Sequence, residues 1–158
     1  MINIVIKKYL APLAMALLLV LPVADAAVDF NNLQDSVDRY NNNIENAPAV
    51  LKAFMGNERI NMTILMNNGS VVVWGIETEN AKIISYTLGG LKNPTIYEYA
   101  YEDAINEVLS AKDSLAVFHE SEKSGRIKIE GRTPEAKIKV AVMLSSGEAI
   151  KYYFGMFG

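Results

Sequence analysis

The stretch that decides the fold begins with Pro94-Thr95-Ile96-Tyr97-Glu98-Tyr99 and ends with Ser124-Gly125-Arg126-Ile127-Lys128-Ile129-Glu130-Gly131. Both ends alternate in side-chain type, which predicts two β-strands because successive side chains of a strand point to opposite faces. Between them the apolar period changes to that of a helix, with Ala104, Ile105, Val108 and Leu109 on one face. A second short helix follows, capped by Asp113 or Ser114, and it contains Leu115, Phe118 and Glu122.

Three more strands are predicted before this stretch. Residues 60–66 alternate, residues 70–76 are rich in Val, and Asn68-Gly69 lies between the two runs. Asn-Gly in this position predicts a hairpin with a primed turn, which needs a positive φ at both central residues. A turn at Glu79-Asn80 then leads to a third strand over residues 82–88.

Helices are predicted at both ends of this sheet. From Phe30 to Phe54 apolar residues recur three or four positions apart, and Pro48 predicts a kink or a second helix capped by Asn46. A coiled-coil dimer is the alternative for this stripe. Packing on the domain's own core is favoured, because the repeat is short and few charges flank it.

Thr133-Pro134-Glu135 begins a later helix, and Ser145-Ser146-Gly147 ends it before an apolar tail.

This order of elements predicts an α+β domain. We expect a five-stranded, mostly antiparallel sheet with helices packed on one face, within a single domain over residues 27–158.

Composition excludes several classes of protein. The 158 residues are 51% hydrophobic, contain no cysteine and one histidine, and carry a net charge of −3. The absence of cysteine excludes disulfides, thiolate metal sites and thiol nucleophiles. The acidic balance, without a basic block, argues against nucleic acid as a partner.

The residues from Pro94 to Gly131 resemble the sterol carrier protein type two (SCP2 sterol-binding) domain family. The likeness lies in the extended Pro-Thr-Ile-Tyr-Glu-Tyr, the helix Glu102-Asp103-Ala104-Ile105-Asn106-Glu107-Val108-Leu109, the short second helix, and the Ser-Gly-Arg-Ile-Lys-Ile-Glu-Gly edge of the last strand. The resemblance implies a tunnel between sheet and helices that takes a fatty acyl, isoprenoid or sterol-like lipid, and it implies no cofactor and no reaction.

Eight residues are candidates to line such a tunnel, although each is equally explained as ordinary core. They are Trp74, Ile105, Leu109, Leu115, Phe118, Met143, Tyr152 and Phe154. The expected partner is an apolar small molecule or lipid, and we expect a monomer. The alternative is a cell-envelope interaction module with a filled core, whose apolar C-terminal tail contacts a protein or the membrane surface.

The sequence offers little catalytic equipment. A serine-histidine-carboxylate triad would have to use His119, and no G-x-S-x-G elbow accompanies it. No spacing typical of metal ligands or phosphate loops appears. We therefore expect neither a catalytic residue nor a metal site nor a cofactor.

Two other features could bear on function. Tyr97, Tyr99 and Tyr101 share one face of their strand, where they could border a lipid mouth or stack on sugars, or simply pack as tyrosines of an edge strand do. Asn61 and Asn68 each begin an N-x-S/T sequon, and Asn68, at the hairpin tip, is the better glycosylation candidate.

The first 26 residues have the pattern of a secretory signal peptide. Lys7 and Lys8 precede a charge-free apolar run from Leu10 to Ala24, and Ala24-Asp25-Ala26 is an A-x-A cleavage site. The run is shorter than the roughly 20 apolar residues that a membrane span needs, so cleavage is favoured over retention as an anchor. We expect a secreted or cell-envelope protein.

Cleavage between Ala26 and Ala27 predicts an exported form that begins at Ala27. N-terminal sequencing of the protein from its own host should recover Ala27-Val28-Asp29 as the first residues. An intact Met1 in the membrane fraction would show that the segment is a retained anchor instead.

Overall fold

The computed structural model describes residues 30–155, which form six helices and five strands. The predicted signal peptide, the cleavage site at Ala26 and Ala27, and the tail residues Met156 and Phe157 lie outside the described residues. No helix within residues 30–155 has the length and hydropathy that a membrane crossing requires.

The elements alternate between helical and extended runs in the predicted order. They are α1 (Phe30–Ile44), α2 (Ala49–Met55), β1 (Arg59–Leu65), β2 (Val71–Glu79), β3 (Lys82–Leu88), β4 (Ile96–Tyr101), α3 (Glu102–Ser110), α4 (Ser114–Lys123), β5 (Ile127–Gly131), α5 (Pro134–Leu144) and α6 (Gly147–Gly155).

The sheet has the strand order β3-β2-β1-β4-β5. Three neighbouring pairs are antiparallel, and the central pair, β1 with β4, is parallel. A parallel pair needs a long connection, and here the β2–β3 hairpin supplies it. The predicted α+β class is confirmed, with a mixed sheet that is mostly antiparallel.

One face of the sheet forms the floor of the core. Ile60, Met62 and Ile64 of β1 are at most 1% exposed on this face. Their in-register neighbours on β2 are Ile76, Trp74 and Val72, which are also buried. The helices cover this inner face with their apolar stripes.

The apolar stripe of α1 packs on the domain's own core. Val37, Tyr40 and Ile44 are at most 4% exposed within the single chain, and Leu51 and Phe54 of α2 continue the stripe. The packing interpretation is therefore favoured over the coiled coil. The break at Pro48 is confirmed, but Pro48 itself takes the N-cap position of α2, so the predicted Asn46 cap is wrong.

The primed turn occurs in a different hairpin from the one predicted. Between β1 and β2 only Gly69 has a positive φ, and the loop spans five residues, so the prediction of a primed turn at Asn68-Gly69 is wrong. The two-residue loop Asn80-Ala81 between β2 and β3 has φ values of 51° and 66°. Ala81 tolerates this conformation because its amide donates to the Gly56 carbonyl at 2.7 Å and its carbonyl accepts from the Tyr40 hydroxyl at 2.8 Å.

Two predicted helix caps are confirmed. The Asp113 carboxylate accepts a hydrogen bond from the Ala116 amide at the start of α4, and the Thr133 hydroxyl accepts one from the Ala136 amide at the start of α5, both at 3.1 Å. These bonds satisfy amides that have no partner within the helix.

A buried polar cluster joins the start of β1 to the start of β4 and to α5. The Thr95 hydroxyl accepts from the Arg59 amide at 3.0 Å, and the Thr95 amide donates to the Arg59 carbonyl at 2.7 Å. The Glu58 carboxylate, 5% exposed, accepts from the Thr95 hydroxyl and pairs with the Lys139 ammonium at 2.6 Å. We call Glu58, Thr95 and Lys139 the strand clamp.

Removing the cation of the strand clamp leaves a buried carboxylate unpaired. We expect Lys139→Met to lower the free energy of unfolding by about 3 kcal/mol, and a Glu58→Gln, Lys139→Met double variant to recover part of that loss. Lys137→Met, on the exposed side of the same helix, is the control and should change stability by less than about 0.5 kcal/mol. Urea unfolding of the four proteins measures this, and equal effects at 137 and 139 would refute it.

Candidate ligand-binding site

An apolar cavity lies between the inner face of the sheet and the helices. Its volume is about 70 Å³. Sixteen described residues line it: Phe54, Met62, Glu98, Tyr99, Ala100, Ile105, Val108, Phe118, Ile127, Lys128, Ile129, Met143, Leu144, Ile150, Tyr153 and Phe154.

The lining combines a buried floor with a partly exposed rim. Met62 on the floor and Ile105 and Phe118 on the helix side are buried. The partly exposed members come mainly from β5 and from the second half of α6, which indicates that the cavity opens on this side.

Aromatic contacts hold the helical wall together. The Phe118 ring of α4 lies 5.5 Å from the Phe154 ring of α6, and Phe154 in turn contacts Tyr153 edge to face at 5.4 Å. Aromatic pairs at such distances contribute about 0.5–1.5 kcal/mol beyond their buried area. The Asp113 cap fixes where α4 begins and thereby places Phe118 against α6.

The structure brings four of the eight candidate residues to the cavity: Ile105, Phe118, Met143 and Phe154. The other four lie elsewhere. Trp74 is buried on the sheet with its ring edge-on to Tyr86 at 6.3 Å, and Leu109 and Leu115 pack at the margin of the core. The Tyr152 hydroxyl donates to the Asn43 carbonyl at 2.9 Å, which turns that side chain toward α1.

Twelve of the sixteen lining residues were not among the candidates, and Glu98 is the acidic residue of those twelve. It lies on β4 between Ile96 and Ala100, both buried, and so shares the inner face of the sheet. In the strand register its neighbours are Met62 on β1 and Ile129 on β5. The signal was present in the sequence, because three tyrosines on one face of β4 require Ile96, Glu98 and Ala100 on the other.

Burial raises the pKa of the Glu98 carboxyl to about 8. Desolvation disfavours the charged form of an acid, and no opposing ion pair lowers the pKa here. Burial also raises the pKa of Tyr40, and the charge of Glu98 adds to that shift. At pH 7 the Glu98 carboxyl is therefore mainly protonated.

Two other ionisable groups near the cavity are engaged elsewhere. The Lys128 ammonium pairs with the Glu130 carboxylate at 2.7 Å, and that contact raises the pKa of Lys128. The Tyr40 hydroxyl donates to the Ala81 carbonyl. Glu98 itself makes no hydrogen bond or ion pair with the described residues.

His119 lies on the exposed surface of α4. Its side chain is 46% exposed, and its Nδ1 lies 3.7 Å from the Glu122 carboxylate. Its ring meets Phe118 edge-on at 5.8 Å. Within residues 30–155, no group of three or more histidine, aspartate or glutamate side chains could hold a metal ion.

The three tyrosines of β4 lie on the outer face of the sheet. Tyr97 and Tyr99 stack at 6.1 Å, and the Arg132 guanidinium lies 5.3 Å from the Tyr97 ring centre. The expectation that they belong to an edge strand is wrong, because β4 lies between β1 and β5.

The two sequons differ in accessibility. The Asn61 side chain is buried and donates to the Leu91 carbonyl at 3.0 Å while accepting from the Leu91 amide at 2.7 Å, so it is not free to carry a glycan. Asn68 is exposed at the hairpin tip, where its side chain accepts from the Ser70 amide at 2.9 Å.

The chain is similar to solved sterol carrier protein 2 domains. Similar structures include the sterol carrier protein domain 2 of Helicoverpa armigera (18% identity, 70% of this chain and 84% of that one, TM-score 0.47) and sterol carrier protein 2 from Yarrowia lipolytica in its apo form (15%, 77% and 97%, 0.40). A third is the UbiJ-SCP2 ubiquinone synthesis protein (9%, 76% and 94%, 0.49). These similarities agree with the predicted resemblance, and at these identities they concern the fold alone. No protein-family model matches the chain, and neither does any curated protein.

The raised pKa of Glu98 predicts a pH-dependent stability. The unfolded chain ionises this carboxyl near pH 4.5, whereas the folded chain keeps its proton until about pH 8. Folding therefore loses stability as pH rises through this window, by at most about 1.4 kcal/mol per pH unit from this one group.

Glu98→Gln removes the titrating group at nearly constant shape. Its free energy of unfolding relative to the parent should rise steadily from pH 5 to pH 8, as measured by urea titrations at fixed ionic strength. Glu120→Gln, on the exposed surface of α4, is the matched control and should show no such trend. A parent-minus-variant difference that stays flat with pH would show that Glu98 ionises normally.

Proposed function

We propose that this protein is an exported, non-catalytic carrier that binds an apolar ligand, a fatty acyl, isoprenoid or sterol-like lipid, in the space between its sheet and its helices. The observation that carries the proposal is the apolar cavity bounded by β4, β5, α4 and α6. The export part of the proposal is supported by the signal-peptide pattern of residues 1–26.

Free space of this kind is unusual in an ordinary core. Protein interiors are packed as densely as organic crystals, and side chains that line a void lose dispersion contacts on that side. A site that holds one water molecule needs only about 10–15 Å³, so a cavity of about 70 Å³ has room for more than one. Its apolar lining makes hydrocarbon the better occupant.

The walls are able to adapt to a ligand. Met62 and Met143, on opposite sides of the cavity, are unbranched and flexible, and such side chains accept differently shaped partners. The rim residues Tyr153 and Phe154 lie in the last helix, close to its end. Both side chains are partly exposed.

The carrier proposal contains no reaction. Most groups that face the cavity are hydrocarbon side chains, and His119 lies on the exposed side of α4. Nucleophilic or acid–base catalysis needs paired reactive groups within hydrogen-bond distance of one another. The lining residues do not form such a pair.

A cell-envelope interaction module is the second candidate. Ile138 and Val142 lie one helical turn apart on α5 and are 66% and 50% exposed. This pair gives α5 exposed apolar surface, which marks a contact with a protein or a membrane where it belongs to a larger apolar patch. Native mass spectrometry of the protein purified from its own host discriminates the two, because a carrier retains lipid and a filled module does not.

Truncating the cavity wall tests the carrier function directly. A fully packed buried Phe→Ala change costs about 3–5 kcal/mol. Because Phe118 borders existing free space, Phe118→Ala should cost less than about 3 kcal/mol and should change the affinity for the neutral fluorophore N-phenyl-1-naphthylamine at least severalfold.

His119→Ala is the matched control, since it alters the adjacent exposed residue of the same helix. It should leave both the urea midpoint and fluorophore binding unchanged. Full core-sized destabilisation by Phe118→Ala, together with no saturable fluorophore binding by the parent protein, would leave only the interaction module.

A further inference from the structure

Glu98 is an acidic side chain in apolar surroundings. The row of side chains that crosses the inner face runs Trp74, Met62, Glu98, Ile129, and each neighbour of Glu98 in this row is apolar. A carboxyl without a partner in such a place costs stability, and a Leu at this position would pack without that cost. Because Glu98 lines the cavity, a ligand that hydrogen-bonds to its carboxyl would offset that cost.

We propose that Glu98 is the polar contact of the cavity, whose carboxyl hydrogen-bonds the uncharged hydroxyl or carbonyl end of a lipid while the apolar walls hold its hydrocarbon. This inference rests on the proposed carrier function and narrows it to a ligand class. The class is long-chain alcohols, ketones and related neutral lipids, as opposed to ionised acids, phosphates or amines.

The hydrogen-bonding capacity of Glu98 fits a neutral end group. A protonated carboxyl offers one O–H donor and a carbonyl acceptor, so it can serve a hydroxyl in either direction and a ketone through its O–H. Because burial raises its pKa to about 8, the Glu98 carboxyl is mainly protonated at pH 7. The O–H donor and the carbonyl acceptor are both available to a ligand, because no described residue bonds to the carboxyl.

Charged end groups do not fit the surroundings. The ionisable neighbours of the cavity are Tyr40, Tyr99, Lys128 and Tyr153, and the one cation among them already pairs with Glu130. An anionic ligand would bring an uncompensated charge into an apolar space. An ammonium ligand would have to ionise Glu98, and the desolvation of both charges offsets their attraction.

A matched ligand series tests the inference. Decan-1-ol, decan-2-one, decanoate and decylamine displace N-phenyl-1-naphthylamine at pH 6.5 from the parent, Glu98→Gln and Glu98→Leu. In the parent the alcohol and the ketone should bind more tightly than the two charged ligands. Glu98→Leu should weaken the alcohol and the ketone by about tenfold, the equivalent of one hydrogen bond. Glu98→Gln, which keeps a donor and an acceptor, should retain most of their affinity.

The pH dependence of ligand affinity separates a direct contact by Glu98 from a purely structural role, which would leave this dependence unchanged. Decan-2-one only accepts hydrogen bonds, so its affinity for the parent should fall as pH rises through about 8, where the carboxyl loses its proton. Its affinity for Glu98→Gln should stay flat over the same range.

Three other results would each refute a specific part of the proposal. If Glu98→Leu binds the fluorophore and both neutral ligands as the parent does, the inference fails and the carrier function stands. If decylamine binds the parent most tightly and loses affinity in both variants, Glu98 acts as an anion and the neutral ligand class is refuted. If the folded parent does not bind the fluorophore at all, the carrier function itself fails.

Discussion

The parallel contact between β1 and β4 is the constraint on which the rest of the structure depends. Two consecutive hairpins carry the chain away from β1, and the chain must return to its other side to add β4. Thr95 fixes that return, because its hydroxyl and amide both bond to the backbone of Arg59. The same threonine hydrogen-bonds to Glu58, which pairs with Lys139 on α5. One polar cluster therefore sets both the strand register and the position of α5 on the sheet.

The register produces the site. With Ile60 opposite Ile96, Met62 falls opposite Glu98, and Ile129 of β5 completes the row. A slip of one residue would turn Glu98 to solvent and three tyrosines into the core. The strand clamp therefore controls which side chain the sheet presents to the cavity, although none of its members touches the cavity.

Stability and function are opposed at Glu98. A partly exposed carboxyl without a described partner among apolar residues weakens the fold, and its raised pKa reflects how unfavourable the charged form is. Local rules of sequence design are broken in natural proteins chiefly at functional sites. The same residue gives an otherwise hydrocarbon cavity one hydrogen-bonding group. Such a group lets a carrier bind a lipid in one orientation, with its polar end at Glu98.

The sequence by itself determined the order of the elements, the α+β class and the caps at Asp113 and Thr133, because alternation, helical period and capping chemistry are local. It also contained the inward position of Glu98, as the complement of the tyrosine face. Only the tertiary structure decided that β4 lies inside the sheet, that the primed turn is Asn80-Ala81, and that Ile105, Phe118, Met143 and Phe154 meet at one cavity while Trp74, Leu109, Leu115 and Tyr152 do not. Free space depends on how side chains from distant segments fit together, and no local pattern of residues records that fit.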